Sequence, residues 1–230
     1  MRPIVRGEPP QIAGSEPGIA SYRKFAAPLE ERVGPYCAYC EMRLNEGIKL
    51  EHVRPKSLHP DLESNWHNLL PSCVFCNSIK GSQPVDLFEY LWPDRDNCFL
   101  AFLYEPDRVP QINPRLQTSR QQAQNTLSIF KLDLEPRYHG DGSLDRRLRQ
   151  RIETWRKAQD AKSDLIQYPS AGMCRSIVDT ATSSGFWSVW MTVFADEPEM
   201  RQRFIEAFPG TCTSCFNANT EPKPRVGGLC

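Results

Sequence analysis

The chain has 230 residues, with 28 lysines and arginines against 28 aspartates and glutamates, and it contains nine cysteines. With 40% hydrophobic and 24% charged residues, its composition is typical of a globular protein with one domain or two small ones. The formal net charge of zero excludes a broadly basic protein that coats nucleic acid. Any contact with nucleic acid must therefore use a local patch of cations.

The role of the nine cysteines depends on the cellular compartment in which the protein is found. The first ten residues contain no apolar run of the kind found in a signal peptide. The longest apolar run, 98–104, is far too short to span a membrane. We therefore expect a cytoplasmic protein with no membrane contact. In that compartment disulfides are rare and clustered thiols more often bind metal, and an odd number of cysteines argues against complete disulfide pairing.

The N-terminal part begins without regular structure. Residues 1–18 are rich in proline and glycine and indicate an extended arm. A helical pattern follows over 21–33, with Pro28 as an expected break and Gly34 as its end.

The next part has the signals of strands and turns. Apolar residues alternate on both sides of the turn residues at 45–47, which predicts a β-hairpin. A helical turn is expected at 65–70, and a short helix at 77–80. The run 98–104 predicts a buried strand, followed by a turn at 105–108.

Helical patterns dominate the rest of the chain. The predicted helices are 116–131, 144–166, 173–182, 186–194 and 197–208. The whole sequence therefore predicts an α+β protein in three segments: an arm and helix at 1–34, a small α+β module at 35–82, and a strand-containing connector with a mostly α-helical region at 83–230.

Two CxxC pairs are the strongest single signal, namely Cys37 with Cys40 and Cys73 with Cys76. Two residues between cysteines allow both sulfur atoms to reach one ion, and two such pairs supply the four thiolates that Zn²⁺ prefers. A site with four protein ligands has no open position, so we expect a structural zinc. The 32 residues between the pairs leave room for another element.

The segment between the pairs carries a second motif. It contains Glu51-His52, then Trp66-His67-Asn68-Leu69-Leu70, and Asn77 directly after the last zinc cysteine. In this order, between two CxxC pairs, the motif resembles the HNH nuclease family, and in particular its four-cysteine zinc branch. The resemblance implies a ββα-metal fold and a metal-dependent endonuclease.

The chemistry of these residues suits phosphodiester hydrolysis. An imidazole titrates near neutral pH, so His52 can activate a water molecule as a general base. Glu51 and Asn77 both offer oxygen atoms, which Mg²⁺ or Mn²⁺ prefers. By similarity to the family, Glu51 and Asn77 hold the catalytic ion, His52 is the base, and Asn68 braces the loop or orients His52.

The strand imposes one geometric condition on this site. Adjacent residues of a regular strand point to opposite faces. Glu51 and His52 can therefore serve one site only if the strand ends or twists there, and the loop that begins near Pro55 is consistent with such an end.

The flanks carry a narrower resemblance. It rests on 1–9, on Tyr36-Cys37-Ala38-Tyr39-Cys40-Glu41, on the 66–70 motif, and on Pro93-Asp94-Arg95-Asp96-Asn97 before an apolar run. These motifs are similar to the HNH nuclease subunits of Septu-type and retron-associated anti-phage systems (PtuB-like). The resemblance implies an ABC/SMC-type ATPase partner (PtuA-like) and a nucleic acid substrate, with DNA favoured.

Cations near the motif are candidate phosphate contacts. Arg54, Lys56 and Lys80 flank it, and solvated surface charge is the alternative for them. Residues 145–157 hold six cations and two anions, a net charge of +4. Within them, Arg147 and Arg151 share a helix face that would contact phosphates or an acidic partner, or would simply be solvated.

Five cysteines have no assigned role in this scheme: Cys98, Cys174, Cys212, Cys215 and Cys230. Cys212 and Cys215 form a third CxxC, for which free thiols are expected and a second metal site is the alternative. For the whole chain, the alternatives are a non-catalytic zinc module that binds nucleic acid or protein, and an HNH nuclease that cleaves RNA or tRNA.

Overall fold

The computed structural model describes residues 1–11, 22–134 and 145–230. The predicted arm beyond Gln11 and the first residues of the predicted helices 21–33 and 144–166 lie outside these ranges. Within them, the chain forms eight α-helices and four short β-strands. These elements, in chain order, are α1 (Ala26–Val33), β1 (Lys49–His52), β2 (Leu69–Ser72), α2 (Val74–Lys80), α3 (Cys98–Ala101), β3 (Phe102–Leu103), β4 (Gln111–Ile112), α4 (Arg120–Ile129), α5 (Arg146–Gln167), α6 (Ala171–Ser184), α7 (Trp187–Val193) and α8 (Pro198–Ala207).

The predicted helix 21–33 changes character at Phe25 rather than at Pro28. Residues Tyr22–Phe25 form a 3-10 turn, and α1 begins at Ala26. Pro28 is therefore the third residue of α1, where the N–H group that proline lacks has no partner within the helix. Gly34 ends the helix with a φ of 78°, as the sequence predicts.

The predicted hairpin around 45–47 is wrong in its pairing, although a turn is present at 45–46. Strand β1 pairs antiparallel with β2, which places Glu51 opposite Leu70 and His52 opposite Leu69. Alternating apolar residues identify an extended segment with one buried face, but they do not identify its partner. Here the partner strand β2 is separated from β1 by a long loop, and α2 begins directly after β2.

The second CxxC pair forms the start of α2, which begins earlier than the predicted 77–80. Cys73 is the N-cap residue, and its Sγ accepts a hydrogen bond from the backbone N–H of Cys76 at 3.3 Å. The turn that carries Cys73 and Cys76 therefore also caps the N-terminus of α2.

The predicted strand 98–104 is also wrong over its first half. Cys98–Ala101 form one helical turn, and only Phe102–Leu103 are extended, paired with β4. A short apolar run is compatible with either state when it is fully buried. Cys98 and Ala101, three residues apart, are both fully buried, which is the spacing of a helix face. The turn predicted at 105–108 is present.

The five helices predicted after residue 114 are all present as α4 to α8, with ends displaced by a few residues. Trp187 and Trp190 on α7 are fully buried in the core. The hydrophobic core is continuous from the cysteine pairs to these helices, because the ring of Tyr39 stacks on Phe130 with ring centres 3.8 Å apart. Among the described helices, none combines the length and apolar character needed to cross a membrane.

Gly185 offers a test of this packing. It has a φ of 75°, and a Cβ atom there would lie 2.8 Å from the carbonyl oxygen of Glu41. We expect Gly185→Ala to lower the free energy of unfolding by about 2–4 kcal/mol, measured by urea denaturation, because strain and overpacking add. Gly47, with a φ of 81° and nothing within 4 Å of its Cβ position, is the matched control. Gly47→Ala should cost only about 1 kcal/mol, and equal losses in both variants would contradict the packing.

Candidate metal centre and active site

The four predicted zinc cysteines come together in the structure. The ligand atoms of Cys37, Cys40, Cys73 and Cys76 all lie within 4.8 Å of one another, and all four residues are buried. The Sγ atoms of Cys40 and Cys73 are 3.7 Å apart. Four sulfur atoms placed tetrahedrally at about 2.3 Å from Zn²⁺ are separated by about 3.8 Å. The cluster therefore has the donor set and the size for a metal such as zinc.

The backbone around Cys37 and Cys40 folds into a turn that brings the two cysteines close together. A tight turn follows Cys37, whose carbonyl accepts a hydrogen bond from the N–H of Glu41 at 2.9 Å. Glu41 has a positive φ of 67°, which turns the chain back so that the N–H of Cys37 reaches the carbonyl of Met42 at 2.9 Å. Ala38 is tied to β2 through the carbonyl of Pro71. The first pair is thus held beside the second by the sheet.

Arg147 connects the helical region to the cluster. Its guanidinium donates to the carbonyl of Phe130 at 2.8 Å, to the carboxylate of Asp145 at 2.6 Å, and to Cys76 Sγ at 3.5 Å. A cation beside the thiolates offsets the negative charge of a four-cysteine site. Arg147 is buried, so its charge is directed into the protein.

Lys80 and Arg151 are buried in the same way. Lys80 is 0% exposed and contacts β1. The guanidinium of Arg151 lies over the ring of Phe186 at 5.8 Å. Three of the five cations predicted to contact nucleic acid are therefore buried. For Arg147 and Arg151, apolar neighbours on α5 such as Leu148 and Trp155 are a sequence signal that this helix face is turned inward.

The side chain of Glu51 points from β1 towards α2. Its Oε1 lies 2.5 Å from Lys80 Nζ, and its exposed fraction is 2%. Burial raises the pKa of Glu51 to about 7, although the ion pair with Lys80 favours the charged form. Its second oxygen, Oε2, is buried without a hydrogen-bond partner. Lys80 also donates to the carbonyl of His52 at 2.8 Å, so one ammonium group contacts both residues of the predicted pair.

The ring of His52 has different neighbours. It lies edge-on to the ring of Tyr22 at 4.8 Å, and its Nε2 is 2.9 Å from the carbonyl oxygen of Glu63. Because a carbonyl can only accept, Nε2 carries the proton and Nδ1 carries the lone pair. Burial lowers the pKa of His52, and the nearby Lys56 also lowers it, so the neutral form is favoured. Strand β1 ends at this residue. The side chains of Glu51 and His52 contact different groups, although Lys80 also reaches the backbone carbonyl of His52.

Asn68 holds the loop that follows β1. Its Oδ1 accepts from the N–H of Arg54 at 2.8 Å, and its Nδ2 donates to the carbonyl of Arg54 at 2.9 Å. A further hydrogen bond reaches the carbonyl of Leu62 at 3.3 Å. Asn68 is itself buried and lines an open cleft of about 480 Å³ together with Val53 and His67.

The remaining predicted residues lie around this loop. Asn77 is half-buried on α2, one residue after Cys76 and one helical turn before Lys80. Arg54 is half-buried, and Lys56 is exposed and paired with Glu63 at 2.7 Å. Sequence reasoning did not identify Tyr22 or Glu63 as neighbours of His52. Both contacts depend on how the loops fold, and no local pattern encodes them.

These features define a mixed helix-and-sheet protein with a buried four-cysteine cluster that is close enough to hold a metal ion. The chain is 53% identical over 64 residues to Septu protein PtuB of Bacillus thuringiensis. The match covers 26% of this chain and 24% of that protein, so it spans about a quarter of the relative's length. No protein-family model matches the chain. No solved structure matches it either.

The four-cysteine cluster leads to a prediction about metal content. We expect the purified protein to contain one zinc ion per chain, measured by atomic emission. Cys40→Ala should lose the ion and lower the melting temperature strongly, because a metal bound by all four cysteines links the turn after α1 to the start of α2. Cys174 lies outside the cluster and is only half-buried, so Cys174→Ser should keep both properties. A stable Cys40→Ala protein without zinc would contradict a structural role.

The buried ion pair of Glu51 and Lys80 leads to a prediction about stability. We expect Lys80→Met to lower the free energy of unfolding by about 3–5 kcal/mol, because it leaves Glu51 buried without its cation. The double variant Glu51→Gln with Lys80→Met should recover part of that loss. Urea denaturation of both single variants and the double variant gives the coupling energy. Losses that add to within about 0.5 kcal/mol would contradict a direct interaction.

Proposed function

We propose that the chain is an HNH-type, metal-dependent endonuclease that hydrolyses phosphodiester bonds of nucleic acid. DNA is the favoured substrate. The observation that carries the proposal is that the motif residues lie on or directly beside β1, β2 and α2, and that β1 pairs with β2. Glu51 and His52 end β1, Asn68 directly precedes β2, and Asn77 lies on α2 beside the metal cluster.

His52 is the proposed general base. Its Nε2 is held by the carbonyl of Glu63 and its Nδ1 carries the lone pair, so the ring is oriented with one nitrogen able to take a proton from water. The lowered pKa of His52 keeps the imidazole neutral near pH 7, and only the neutral ring can act as a base. Asn68 has a positioning role, because it fixes the loop between His52 and Glu63 through Arg54 and Leu62.

Glu51 and Asn77 are the proposed holders of Mg²⁺ or Mn²⁺. The buried Oε2 of Glu51 without a partner fits a cation, since an unsatisfied buried carboxylate oxygen is costly. A carboxylate and an amide oxygen are suitable ligands for either ion. When bound, such an ion supplies positive charge that stabilises the charge developing on the phosphate.

Arg54 and Lys56 are the proposed phosphate contacts. Both lie in the loop after His52 and keep at least part of their surface exposed. Lys80, Arg147 and Arg151 are left out of this surface, because all three are buried and their charged groups contact Glu51, Asp145 and Phe186.

The biological setting rests on the similarity to Septu protein PtuB. We propose that the chain is the effector nuclease of a Septu-like anti-phage defence system and acts with an ABC/SMC-type ATPase subunit. A formal net charge of zero supports such a division of labour, because a neutral protein gains little from nonspecific electrostatic attraction to DNA.

One observation favours a second candidate, a non-catalytic zinc module that binds nucleic acid or protein. Glu51 is almost completely buried and already paired with Lys80, while His52 contacts other groups. An ion pair of this kind can be purely structural. The two candidates therefore differ in whether the protein cuts, and the test must measure cleavage and binding separately.

The test is a cleavage assay on plasmid DNA and on tRNA. Each substrate is incubated with the protein in Mg²⁺ or Mn²⁺, with and without the ATPase and ATP. We expect cleavage by the wild type and a loss of at least about 100-fold in His52→Ala. His59, seven residues away and half-buried, is the matched control, and His59→Ala should cleave normally. Cleavage by His52→Ala at the wild-type rate would contradict the base assignment.

The same samples separate the two candidates. Zinc content and gel-shift binding are measured alongside cleavage. If the wild type retains zinc and binds nucleic acid but cleaves neither substrate under any condition, the binding module is favoured and the nuclease proposal is wrong.

A further inference from the structure

The third CxxC motif forms a compact structure that the proposed nuclease site does not use. Cys212 precedes, and Cys215 ends, the 3-10 turn Thr213–Cys215, which follows α8. The exposed fractions of the two cysteines are 2% and 0%. Thr213 and Ser214 between them are exposed. The two sulfur atoms therefore lie directly under a two-residue surface loop.

The two thiols contact each other. The thiol of Cys215 donates to Cys212 Sγ, and the sulfur atoms are 3.0 Å apart. The hydroxyl of Ser214 lies 3.3 Å from Cys212 Sγ. The hydrogen bond from Cys215 lowers the pKa of Cys212 well below that of an ordinary thiol and raises that of Cys215. The thiolate form is therefore favoured at Cys212 and the protonated form at Cys215.

A metal site does not explain this pair. In the ranges that the structure describes, the only group of three or more metal-ligating side chains close enough to share an ion is the four-cysteine cluster around Cys37. Two thiols alone leave zinc with half of its ligands.

The backbone around the pair is held in place. The N–H of Cys212 donates to the carbonyl of Pro3 at 2.9 Å. The carbonyl of Cys215 accepts from the side chain of Asn97 and from the N–H of Lys223, both at 2.9 Å. The sulfur atoms are therefore fixed at close range. They need to approach by only about 1 Å to reach bonding distance.

We propose that Cys212 and Cys215 form a redox-active dithiol that a peroxide oxidises to an intramolecular disulfide. The Cys212 thiolate attacks one oxygen of hydrogen peroxide, the O–O bond breaks, and hydroxide leaves and takes up a proton to become water. The Cys212 sulfenic acid is then attacked by Cys215, which forms the S–S bond and releases a second water. In sum, two thiols and one peroxide give one disulfide and two waters. An external dithiol then reduces the disulfide back to two thiols by thiol–disulfide exchange and is itself oxidised to a disulfide.

The test is peptide mapping of the full-length, zinc-loaded protein. Trypsin releases a fragment spanning 204–225, because Lys223 is followed by proline, and this fragment contains only Cys212 and Cys215. After a mild hydrogen peroxide treatment and alkylation, we expect this fragment to lose two hydrogens and to carry no alkyl group. Dithiothreitol should restore two alkylated cysteines.

An isolated thiol in the same sample provides the reference. Cys174 lies in the fragment 163–175 and is half-buried without a cysteine partner in its fragment. If both cysteines of 204–225 remain alkylated when Cys174 has been oxidised, the proposal is wrong. A zinc content of two ions per chain would also overturn it, because the pair would then be a metal site.

Two variants test the order of the reaction. In Cys215→Ser, the sulfenic acid has no resolving thiol, so dimedone should label Cys212 after peroxide treatment. In Cys212→Ser, labelling of Cys215 should be at least about tenfold weaker. Equal labelling in the two variants would contradict the assignment of Cys212 as the attacking sulfur. Melting temperature and zinc content confirm that each variant is folded, and the outcome is independent of whether the protein cleaves nucleic acid.

Discussion

The four-cysteine cluster is the constraint on which the arrangement of the site depends. One pair lies in the turn after α1, and the other forms the start of α2. The sheet of β1 and β2 lies between them in sequence, and Arg147 of α5 reaches Cys76 from the other side. A strand of four residues paired with one other short strand is weak by itself. A metal held by both pairs would join these short elements more firmly than their own contacts can.

The Glu51–Lys80 pair has a related effect inside the module. Lys80 is on the last turn of α2, and its ammonium contacts the carboxylate of Glu51 and the carbonyl of His52. The end of the helix is thereby fixed to the end of the strand, while the start of the helix is fixed by the cysteines. Such a buried pair specifies a geometry more than it adds stability, because desolvation offsets much of the attraction. The same contact favours the charged form of Glu51, whereas burial favours protonation and has the larger effect on its pKa.

The elements with local signals could be predicted from the sequence, and those set by distant contacts could not. The CxxC spacing identified the cluster, since two residues between cysteines are enough to bring two sulfur atoms to one ion. The five C-terminal helices followed from their periodicity. The partner of β1 could not be predicted, because its register depends on a strand beyond a long loop. The turn at Cys98 was also missed, because a short buried run carries no period that separates helix from strand.

Arg147 and Arg151 show that two residues correctly placed on one helix face can lie on the buried face of that helix. Their spacing places them on one face of α5, as expected, but that face also carries Leu148 and Trp155 and is buried. The cations that remain outside on α5 are Arg146, Arg149, Arg156 and Lys157. The neutral composition therefore hides an uneven distribution, in which part of the positive charge is buried beside the four-cysteine cluster and in the core. The exposed positive charge is local, so the nucleic acid binding proposed above would depend on few phosphate contacts and would weaken less steeply with salt than that of a basic DNA-coating protein.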